Sequence, residues 1–420
     1  MMEDKKIYSR WAEKALLKRL NFMRIICVLG ARQTGKSTML QNSALQNAVY
    51  KTLDNQAERL NAEDPMFFLS QNRDGLLIID EVQREPELIL ALKQVVDCDT
   101  RPGQFVITGS ADYRNLPNAN ESLAGRAGIV KMRPLSQAEI RGAEPDFLKK
   151  LFNRQFTLNV KPEPLGKIAL FDLVIRGGFP EVQLLSNNDF KHWFKTYVHE
   201  SIYRELVSIN KIRKSPKTVH QTIGTLALSS CSPKNFSVLA DYVGLTRDTM
   251  ENYCRGLETL FLMSEIPAWN AKPTLALAKK SKLVFADSGL MAYFMNINTP
   301  KQILDGMTTG DKRWGKLVET WVYNQIAPEI DLHTNWRLSH LRARENQEID
   351  FLIENENGDL LGIEVKAAES LKADDFKTLK WFEEKHDGPT HFTGVVLYAG
   401  HSVIRISESL WGIPMSLMWS

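Results

Sequence analysis

The sequence is poor in cysteine and has no long hydrophobic run. Its four cysteines are scattered over 420 residues and form neither a CxxC pair nor a dense framework. That distribution argues against a zinc site or a disulfide scaffold and favours a reducing compartment. No apolar stretch reaches the ~18 residues of a membrane-spanning helix, and no signal-peptide core follows the charged N-terminus. We therefore expect a cytoplasmic protein that is neither secreted nor membrane-spanning.

A marked excess of charge of either sign is also missing. Lysine plus arginine number 53 and aspartate plus glutamate 50, which gives a formal net charge of +3. This net charge is too small to give the whole surface a positive field that would indicate a nucleic-acid partner. Any DNA contact must therefore be local. Because the chain exceeds what one hydrophobic core usually organises, we expect three segments, 1–150, 165–295 and 300–420. The first boundary falls in the proline-containing stretch 146–166.

A glycine-rich loop follows the first apolar run of the chain. Residues 24–29 are nearly all apolar, as in a buried parallel strand, and a complete Walker A sequence comes next. The loop residues predicted to hold a nucleotide are Gly30, Ala31, Arg32, Gln33, Thr34, Gly35, Lys36, Ser37 and Thr38. Lys36 would reach the β and γ phosphates and Ser37 would ligate Mg²⁺. An ordinary glycine turn is the alternative, but it does not need this strand before it.

Two acidic residues end a second apolar run. Residues 76–79 are followed by Asp80 and Glu81, and the carboxyl end of a parallel strand is where ligands of α/β folds bind. We expect Asp80 to hold Mg²⁺, directly or through water, and Glu81 to polarise the attacking water. A third run, 104–108, precedes Ser110, whose hydroxyl would lie beside the γ-phosphate. A plain strand followed by a turn explains this third pattern equally well.

Together these motifs resemble a family of bacterial and archaeal ATP-binding proteins, in which an AAA+ module precedes a C-terminal domain of unknown function with a restriction-endonuclease-like end. The motifs are the Walker A loop, 79–83, 108–110, 122–126, 134–136 with Glu139, and 176–181. The resemblance implies an α/β fold with an N-terminal AAA+ P-loop NTPase domain, a helical and winged-helix-like middle and a C-terminal nuclease-like domain. It also implies ATP hydrolysis with Mg²⁺ in a homo-oligomer.

The same resemblance implies a role for Arg126, which matches the arginine of the family's Gly-Arg motif. It would act as an arginine finger supplied to the nucleotide of a neighbouring subunit. A guanidinium against the γ-phosphate neutralises charge that develops during phosphoryl transfer. The alternative is a surface arginine in a basic loop.

The middle of the chain predicts a helix-turn-helix. Residues 237–243 and 247–260 have helical patterns, separated by Gly244 and a capping Thr246. Residues 261–266 would add the strand of a winged variant. Arg247, Asn252 and Arg255 on the second helix are interleaved with acidic residues, so a packing or protein-contact module competes with DNA reading. Residues 279–282 would touch phosphates or form a solvated basic turn.

Near the C-terminus, two apolar-rich segments predict a hairpin. Residues 347–353 and 360–366 are separated by a turn sequence rich in asparagine, glycine and acidic residues. Because strand side chains alternate, Glu364 and Lys366 share one face, and Asp350 on the paired strand can join them.

That arrangement resembles the PD-(D/E)XK nuclease core. The resemblance implies that Asp350 and Glu364 chelate Mg²⁺, with Glu319 as the matching helical carboxylate, while Lys366 orients water. The alternative is a hairpin with charged residues on a solvated face. Residues 374–384 predict a helix beyond it, and 395–398 a strand.

Two functions follow from these patterns. The first is an ATP-hydrolysing AAA+ enzyme coupled to a nuclease-like domain, acting in DNA processing or defence, with ATP, DNA and further copies of the chain as partners. The alternative is a nucleotide-controlled protein-interaction switch, in which the nuclease-like domain is a catalytically inert scaffold.

Overall fold

The computed structural model describes residues 6–45, 47–72, 75–110, 123–158, 162–210, 215–270, 279–303, 312–344, 347–385 and 391–420. By contact density the chain divides into two compact units. The first unit is Met1–Arg133 with Glu258–Leu262, and the second is Pro134–Leu257 with Met263–Ser420. The three-segment division, 1–150, 165–295 and 300–420, stays a prediction.

A parallel sheet forms the centre of the first unit. Its strands are β1 (Ile25–Leu29), β2 (Val49–Thr52), β3 (Leu77–Asp80), β4 (Phe105–Gly109) and β5 (Ala127–Lys131). In the described part of the chain their order is β2-β3-β4-β1-β5, and neighbouring strands pair in parallel. All residues of β1, β3 and β4 are buried, as their continuous apolar runs predict. The carboxyl ends of these three strands therefore meet at one edge.

Helices cover this sheet. They are α1 (Trp11–Leu20), α2 (Lys36–Asn42), α3 (Gln56–Ala62), α4 (Pro65–Ser70) and α5 (Glu87–Cys98), with a 3₁₀ turn at Val82–Arg84. Helix α4 starts sharply because the Asp64 carboxylate accepts from the Phe67 amide, at 3.0 Å, and Pro65 occupies the first helical position. Apolar side chains of α4 and α5 pack on β1, β3 and β4 in one core, which fixes the edge where these strands end.

The first half of the second unit is helical. Its helices are α6 (Gln137–Arg141), α7 (Phe147–Phe152), α8 (Lys167–Arg176), α9 (Asp189–Tyr197), α10 (Tyr203–Asn210), α11 (Pro216–Leu228), α12 (Phe236–Val243), α13 (Arg247–Thr259), α14 (Ser288–Phe294) and α15 (Arg313–Ile330). A π-helical turn, Val198–Ile202, joins α9 to α10, and a 3₁₀ turn spans Val182–Leu184. The predicted helix-turn-helix elements are present as α12 and α13. Gly244 ends α12 with φ +65°, and Thr246 accepts from the Thr249 amide at 3.2 Å.

The glycine-containing segment 176–181 serves packing. A side chain on Gly177 would collide with the buried Asp287 carboxylate, and one on Gly178 would collide with the Leu135 carbonyl. Gly178 N donates to Asp287 at 2.6 Å, and Leu135 N donates to the Gly178 carbonyl at 2.7 Å. Only glycine permits these close approaches. The motif therefore holds the start of α14 against the 134–139 segment.

A small antiparallel sheet lies in the second unit. Its strands are β6 (Ser232–Pro233), β7 (Met263–Ile266) and β8 (Lys282–Phe285), in the order β6-β8-β7. The predicted strand at 261–266 begins only at Met263, because Phe261 takes a positive φ of 58°. Along the chain the elements run helix, strand, helix, helix, strand, strand, from α11 to β8.

The C-terminal sheet carries the predicted hairpin. Its strands are β9 (Arg337–Arg344), β10 (Gln347–Glu354), β11 (Leu360–Lys366), β12 (Phe392–Tyr398), β13 (Ile404–Arg405) and β14 (Leu410–Pro414). The described order is β13-β14-β12-β11-β10-β9. Strands β10 and β11 are antiparallel, with Phe351 opposite Ile363, so the predicted hairpin and its register are confirmed.

Two further predictions for this region hold. The helix predicted at 374–384 starts as a 3₁₀ turn, Ala373–Phe376, and continues as α16 (Lys377–Lys385). The strand predicted at 395–398 is the second half of β12, and a final 3₁₀ turn spans Met415–Trp419. Among the residues that the structure describes, no helix is both long and apolar enough to cross a membrane.

Candidate functional site

The loop after β1 has the backbone of a phosphate-binding loop. Gln33 and Gly35 take positive φ values of 61° and 91°, and α2 begins directly afterwards. A side chain on Gly30 would collide with the backbone carbonyl of Met132. The sequence therefore needs glycine at this position to let the loop pass close to a neighbouring strand. The amino end of α2 lies at the loop, where its free amides favour an anion.

Lys36 lies inside the loop. Its side chain is buried, and its ammonium donates to the carbonyls of Gly30 and Ala31 at 2.8 and 2.9 Å. Thr34 Oγ1 donates to the same Ala31 carbonyl at 2.9 Å. Arg10, a buried arginine that the sequence patterns did not indicate, donates to the Thr34 carbonyl at 2.6 Å. These bonds hold the loop in one conformation.

Three hydroxyl groups surround Asp80 at the end of β3. Ser37 and Tyr50 donate to Oδ2 at 2.8 and 2.5 Å, and Thr108 donates to Oδ1. Burial, and then the hydrogen bond to Asp80, raise the pKa of Tyr50. Sequence analysis did not identify Tyr50, because nothing in its local pattern marks a residue that reaches another strand.

The Ser37 and Asp80 pair fits a magnesium ion. In an octahedral Mg²⁺ site, ligands at 2.0–2.1 Å put adjacent oxygens about 2.9 Å apart. The two side-chain oxygens here lie 2.8 Å apart. One ion can therefore contact both without rearrangement of the backbone.

Glu81 has an unusual backbone conformation. It takes the left-handed region, with φ 58° and ψ 46°, which is strained for a residue other than glycine and recurs at functional sites. Its amide donates to Thr108 Oγ1 at 3.3 Å. Its carboxylate accepts from Gln83 Nε2 and from Ser110 Oγ, the latter at 3.3 Å. Ser110 thus lies against Glu81, and its contact with a γ-phosphate stays a prediction.

Arg126 lies at the opposite end of the strands from the nucleotide loop. It directly precedes β5, which runs parallel to β1, so it is at the amino ends of the strands. Its guanidinium forms a two-pronged ion pair with Asp97, at 2.5 and 2.9 Å. This ion pair lowers the pKa of Asp97. Arg126 therefore does not reach the nucleotide loop of its own chain, and a role in a neighbouring subunit stays a prediction. Ser122 of the same motif lies outside the described residues.

The four predicted nuclease-type residues come together in the second unit. Asp350 Oδ2 accepts from the Val365 amide at 2.9 Å, which joins the two strands of the hairpin beside Glu364. Lys366 Nζ lies 3.5 Å from Glu364 Oε2. Glu319 projects from α15 and, like Asp350, contacts the ammonium of a further residue, Lys282.

The position of Lys282 shows that the prediction for residues 279–282 was wrong at this residue. Residues 279–282 were expected to form an exposed basic segment, but Lys282 is fully buried at the start of β8. Its ammonium forms an ion pair with Glu319 and lies 3.5 Å from Glu348 and 3.6 Å from Asp350. The signal that could have placed it was the apolar run directly after it, which marks a buried strand.

The pKa directions in this cluster follow from burial and from the ion pairs. Burial would lower the pKa of Lys282, but the carboxylates of Glu319 and Asp350 outweigh it and raise that pKa. Burial raises the pKa of Glu319 to about 8. Burial, and then the charge of Asp350, raise the pKa of Glu364 well above its usual range. Lys282 therefore keeps its proton over the physiological pH range.

The cluster in this arrangement does not fit a divalent ion. Across the described ranges, no group of three or more His, Cys, Asp or Glu side chains is placed to hold a metal. The position that faces Glu319 and Asp350 is taken by the Lys282 ammonium. Metal binding by Glu319, Asp350 and Glu364 stays a prediction that the geometry does not favour.

The surface of α13 is mixed in charge. Arg247 and Asn252 are exposed, but Arg255 forms an ion pair with Glu251 at 3.3 Å along the same helix. This exposed ion pair contributes little stability, but it places a carboxylate beside the arginine on the same helix. The helix therefore offers few basic groups for reading DNA.

Three family models match successive parts of the chain. Residues 23–141 match the AAA domain family, 168–301 match domain of unknown function DUF8612, and 314–418 match domain of unknown function DUF4143. The AAA match covers the P-loop, the strand that ends in Asp80 and the strand that precedes Ser110. The first unit thus contains most of an AAA-type P-loop domain.

Curated relatives that match most of the chain are described as uncharacterized proteins. A Mycobacterium tuberculosis protein is 25% identical over 363 residues, which is 86% of this chain and 74% of the relative. A Methanocaldococcus jannaschii protein is 25% identical over 279 residues, 64% of this chain and 57% of the relative. These relatives show how far the sequence similarity extends and assign no activity.

Similarity to solved structures is weak. A Pyrococcus horikoshii signal transduction ATPase with a tetratricopeptide repeat sensor is 12% identical with a TM-score of 0.27, covering 77% of this chain but only 48% of that chain. The Thermotoga maritima RuvB Holliday junction branch migration motor is 15% identical with a TM-score of 0.27, covering 64% and 94%. Scores of this size support no conclusion about substrates or partners.

Proposed function

We propose that this chain binds ATP with Mg²⁺ at the loop 30–38 and hydrolyses it. The observation that carries the proposal is the 2.8 Å contact between Ser37 and Asp80, with Glu81 next in the sequence. A P-loop hydroxyl and a strand-end carboxylate at this separation are the two ligands that a nucleotide-bound Mg²⁺ requires. The AAA domain match over 23–141 supports the same assignment.

Each residue has a distinct task. The amides of the loop and the Lys36 ammonium hold the β and γ phosphates, while Ser37 and Asp80 hold the ion. When bound, Mg²⁺ withdraws negative charge from the phosphate oxygens. Glu81 orients the attacking water and takes its proton. Ser110 and Gln83, which contact the Glu81 carboxylate, set its direction.

The test is phosphate release from ATP by the full chain, with and without Mg²⁺, in Asp80→Asn and in Asp350→Asn. Asp350→Asn is the matched control. It makes the same aspartate-to-asparagine change at a residue with close polar partners, the Lys282 ammonium and the Val365 amide, in the second unit. We expect hydrolysis to need Mg²⁺, to fall about 10²-fold or more in Asp80→Asn, and to survive in Asp350→Asn. Equal rates in both variants would refute the assignment.

For the second unit, the arrangement of elements supports a nuclease-like scaffold. The helix α15 with Glu319, the antiparallel hairpin with Asp350 and Glu364, and the parallel strand β12 provide the elements that such a fold requires. The described elements from α11 to β8 run in the order expected of a winged helix, which supports that part of the proposal. We propose that ATP hydrolysis drives a change in how these parts hold a nucleic acid or a protein partner.

One measurement separates the two kinds of partner. ATP hydrolysis is titrated with single-stranded DNA and with duplex DNA at several salt concentrations. Stimulation that falls steeply with salt would indicate phosphate contacts. No response to either DNA would favour the nucleotide-controlled protein switch.

A further inference from the structure

The carboxylate cluster of the second unit contains a cation supplied by the chain itself. Lys282 is fully buried. Its ammonium pairs with Glu319, lies 3.5 Å from Glu348 and 3.6 Å from Asp350, and is 3.5 Å from the Asp350 carbonyl. Three carboxylates from one helix and one strand therefore converge on a single ammonium.

The fold holds this ammonium in place. Lys282 belongs to β8, the central strand of its sheet, and pairs with Pro233 on one side and Ile266 on the other. Its ammonium also lies 5.7 Å from the ring centre of Phe351. Because Lys282 is fully buried, its side chain can reach solvent only if the residues packed around it move. The ammonium is thus held within the cluster.

A divalent ion and this ammonium compete for the same oxygens. A metal bound by Glu319 and Asp350 would lie within a few ångströms of the ammonium, and like charges so close repel strongly where water is excluded. The ammonium pairs with Glu319 Oε1 and lies 3.6 Å from Asp350 Oδ1, so it faces one oxygen of each carboxylate. By contrast, Glu364 Oε1 is buried with no hydrogen-bond partner in the described structure. The cluster thus keeps one free oxygen that a metal would use if the lysine were absent.

We propose that the Lys282 ammonium is the resident cation of the Glu319, Glu348 and Asp350 cluster, in the position that a divalent metal would otherwise take. The nuclease-like site of this chain then works without a metal and does not cut nucleic acid by metal-assisted hydrolysis. Its carboxylates instead tie β8, α15 and β10 together around one buried charge.

The test is a Mn²⁺ titration of the full chain, followed by paramagnetic resonance of free Mn²⁺. All proteins carry Asp80→Asn, so that the nucleotide site contributes no metal. The compared proteins have Lys282 intact, Lys282→Met or Lys282→Gln. Lys366→Met is the matched control, since this lysine contacts Glu364 at 3.5 Å but is not among the contacts of Glu319. Circular dichroism confirms that each variant is folded.

We expect no saturable Mn²⁺ site with Lys282 intact. In Lys282→Met or Lys282→Gln we expect one saturable site per chain, which binds Mn²⁺ about tenfold or more tightly than any weak, non-saturable binding by the protein with Lys282 intact. Adding Asp350→Asn should abolish that new site, and Lys366→Met should not create one. A site in the protein with Lys282 intact that disappears with Asp350→Asn would overturn the proposal. So would the lack of a site in every folded Lys282 variant.

The proposal can be tested even if both substitutions at Lys282 prevent folding. In that case Mn²⁺ binding is compared between the protein with Lys282 intact and the same protein with Asp350→Asn. Plasmid cleavage with Mn²⁺ or Mg²⁺ gives a second readout. Cleavage that is lost in Asp350→Asn would overturn the proposal, whereas none is expected with Lys282 intact. Neither result bears on ATP hydrolysis, which is measured separately in proteins that retain Asp80.

Discussion

Asp80 in the first unit and Asp350 in the second both end up close to polar partners, but the partners differ in kind. Asp80 accepts from the neutral hydroxyls of Ser37, Tyr50 and Thr108. Asp350 lies beside the Lys282 ammonium and accepts from a backbone amide. Hydroxyls orient a carboxylate without cancelling its charge, whereas an ammonium cancels it. The first carboxylate therefore remains able to bind a cation, and the second already has one.

The two sites also differ in where their positive charge comes from. In the proposed ATP site, positive charge comes partly from outside the chain, as Mg²⁺ and as the predicted arginine of a neighbouring subunit. In the cluster of the second unit, Lys282 provides it from within. Under the two proposals, similar pairs of carboxylates serve chemistry in one unit and packing in the other. Four experiments test this comparison, from the largest expected effect to the smallest.

The first concerns Arg126, whose guanidinium is at the edge of the sheet away from the loop of its own chain. If it completes a neighbour's site, Arg126→Ala should lower ATP hydrolysis about 10³-fold. Mixing it with Lys36→Ala should restore part of the rate, because some interfaces then combine an intact loop with an intact arginine. Phosphate release from the mixture is the measurement.

The matched control is Arg101→Ala, since Arg101 pairs with Asp99 at 2.8 Å on the same unit and should not affect hydrolysis. Co-assembly of the two inactive variants, shown by cross-linking, without any recovered activity would rule out action in a neighbouring subunit.

The second experiment separates binding from chemistry within the loop. Lys36→Ala should abolish or severely weaken ATP binding, because we propose that the ammonium holds the phosphates. Glu81→Gln should leave ATP bound but lower hydrolysis by about 10²–10⁴-fold, because only this residue acts on the water. Nucleotide titration and single-turnover hydrolysis are both needed. Equal loss of ATP affinity in the two folded variants would contradict these roles.

The third uses Asp287, a buried carboxylate whose hydrogen-bond donors, in the part of the chain that the structure describes, are backbone amides. Burial raises its pKa to about 6, against the lowering effect of those amides. The folded state thus keeps the proton to a higher pH than the unfolded chain. The stability that Asp287 contributes is fully present below about pH 4 and is lost as pH rises through about 6, by about 3 kcal/mol.

Asp287→Asn cannot titrate, so its free energy of unfolding should lack this step. Denaturant unfolding of both proteins at pH 4, 5, 6 and 7 gives the difference between them. We expect the parent protein to lose stability relative to the variant across this range. A constant difference would show that Asp287 does not titrate there.

The smallest expected effect is that of Tyr50→Phe. The substitution removes one of the three hydroxyls around Asp80 and keeps the ring. Asp80 retains Ser37 and Thr108 as donors, so the loss should correspond to one hydrogen bond, about 1 kcal/mol or roughly a fivefold lower rate. Steady-state hydrolysis at saturating Mg²⁺ measures it. A loss as large as that of Asp80→Asn would mean that Tyr50 acts directly on the nucleotide.

Local sequence patterns determined much of the secondary structure of this protein. The strand before Gly30, the strand that ends in Asp80, the helix-turn-helix about Gly244 and the hairpin with Asp350 opposite Glu364 all follow from short patterns. Each depends on residues a few positions apart, because strand alternation, helix capping and glycine turns act over that range. The start of β7 was misplaced only because Phe261 takes a positive φ.

Tertiary structure alone decided which charges meet. Tyr50 reaches Asp80 across 30 residues, Arg126 reaches Asp97 across 29, and Lys282 reaches Glu319 across 37. No periodicity links such positions, because their contact depends on how strands and helices pack rather than on their own turn or pleat. The sequence therefore specifies two sets of carboxylates by itself, and the packing around each decides whether it faces hydroxyls or a lysine.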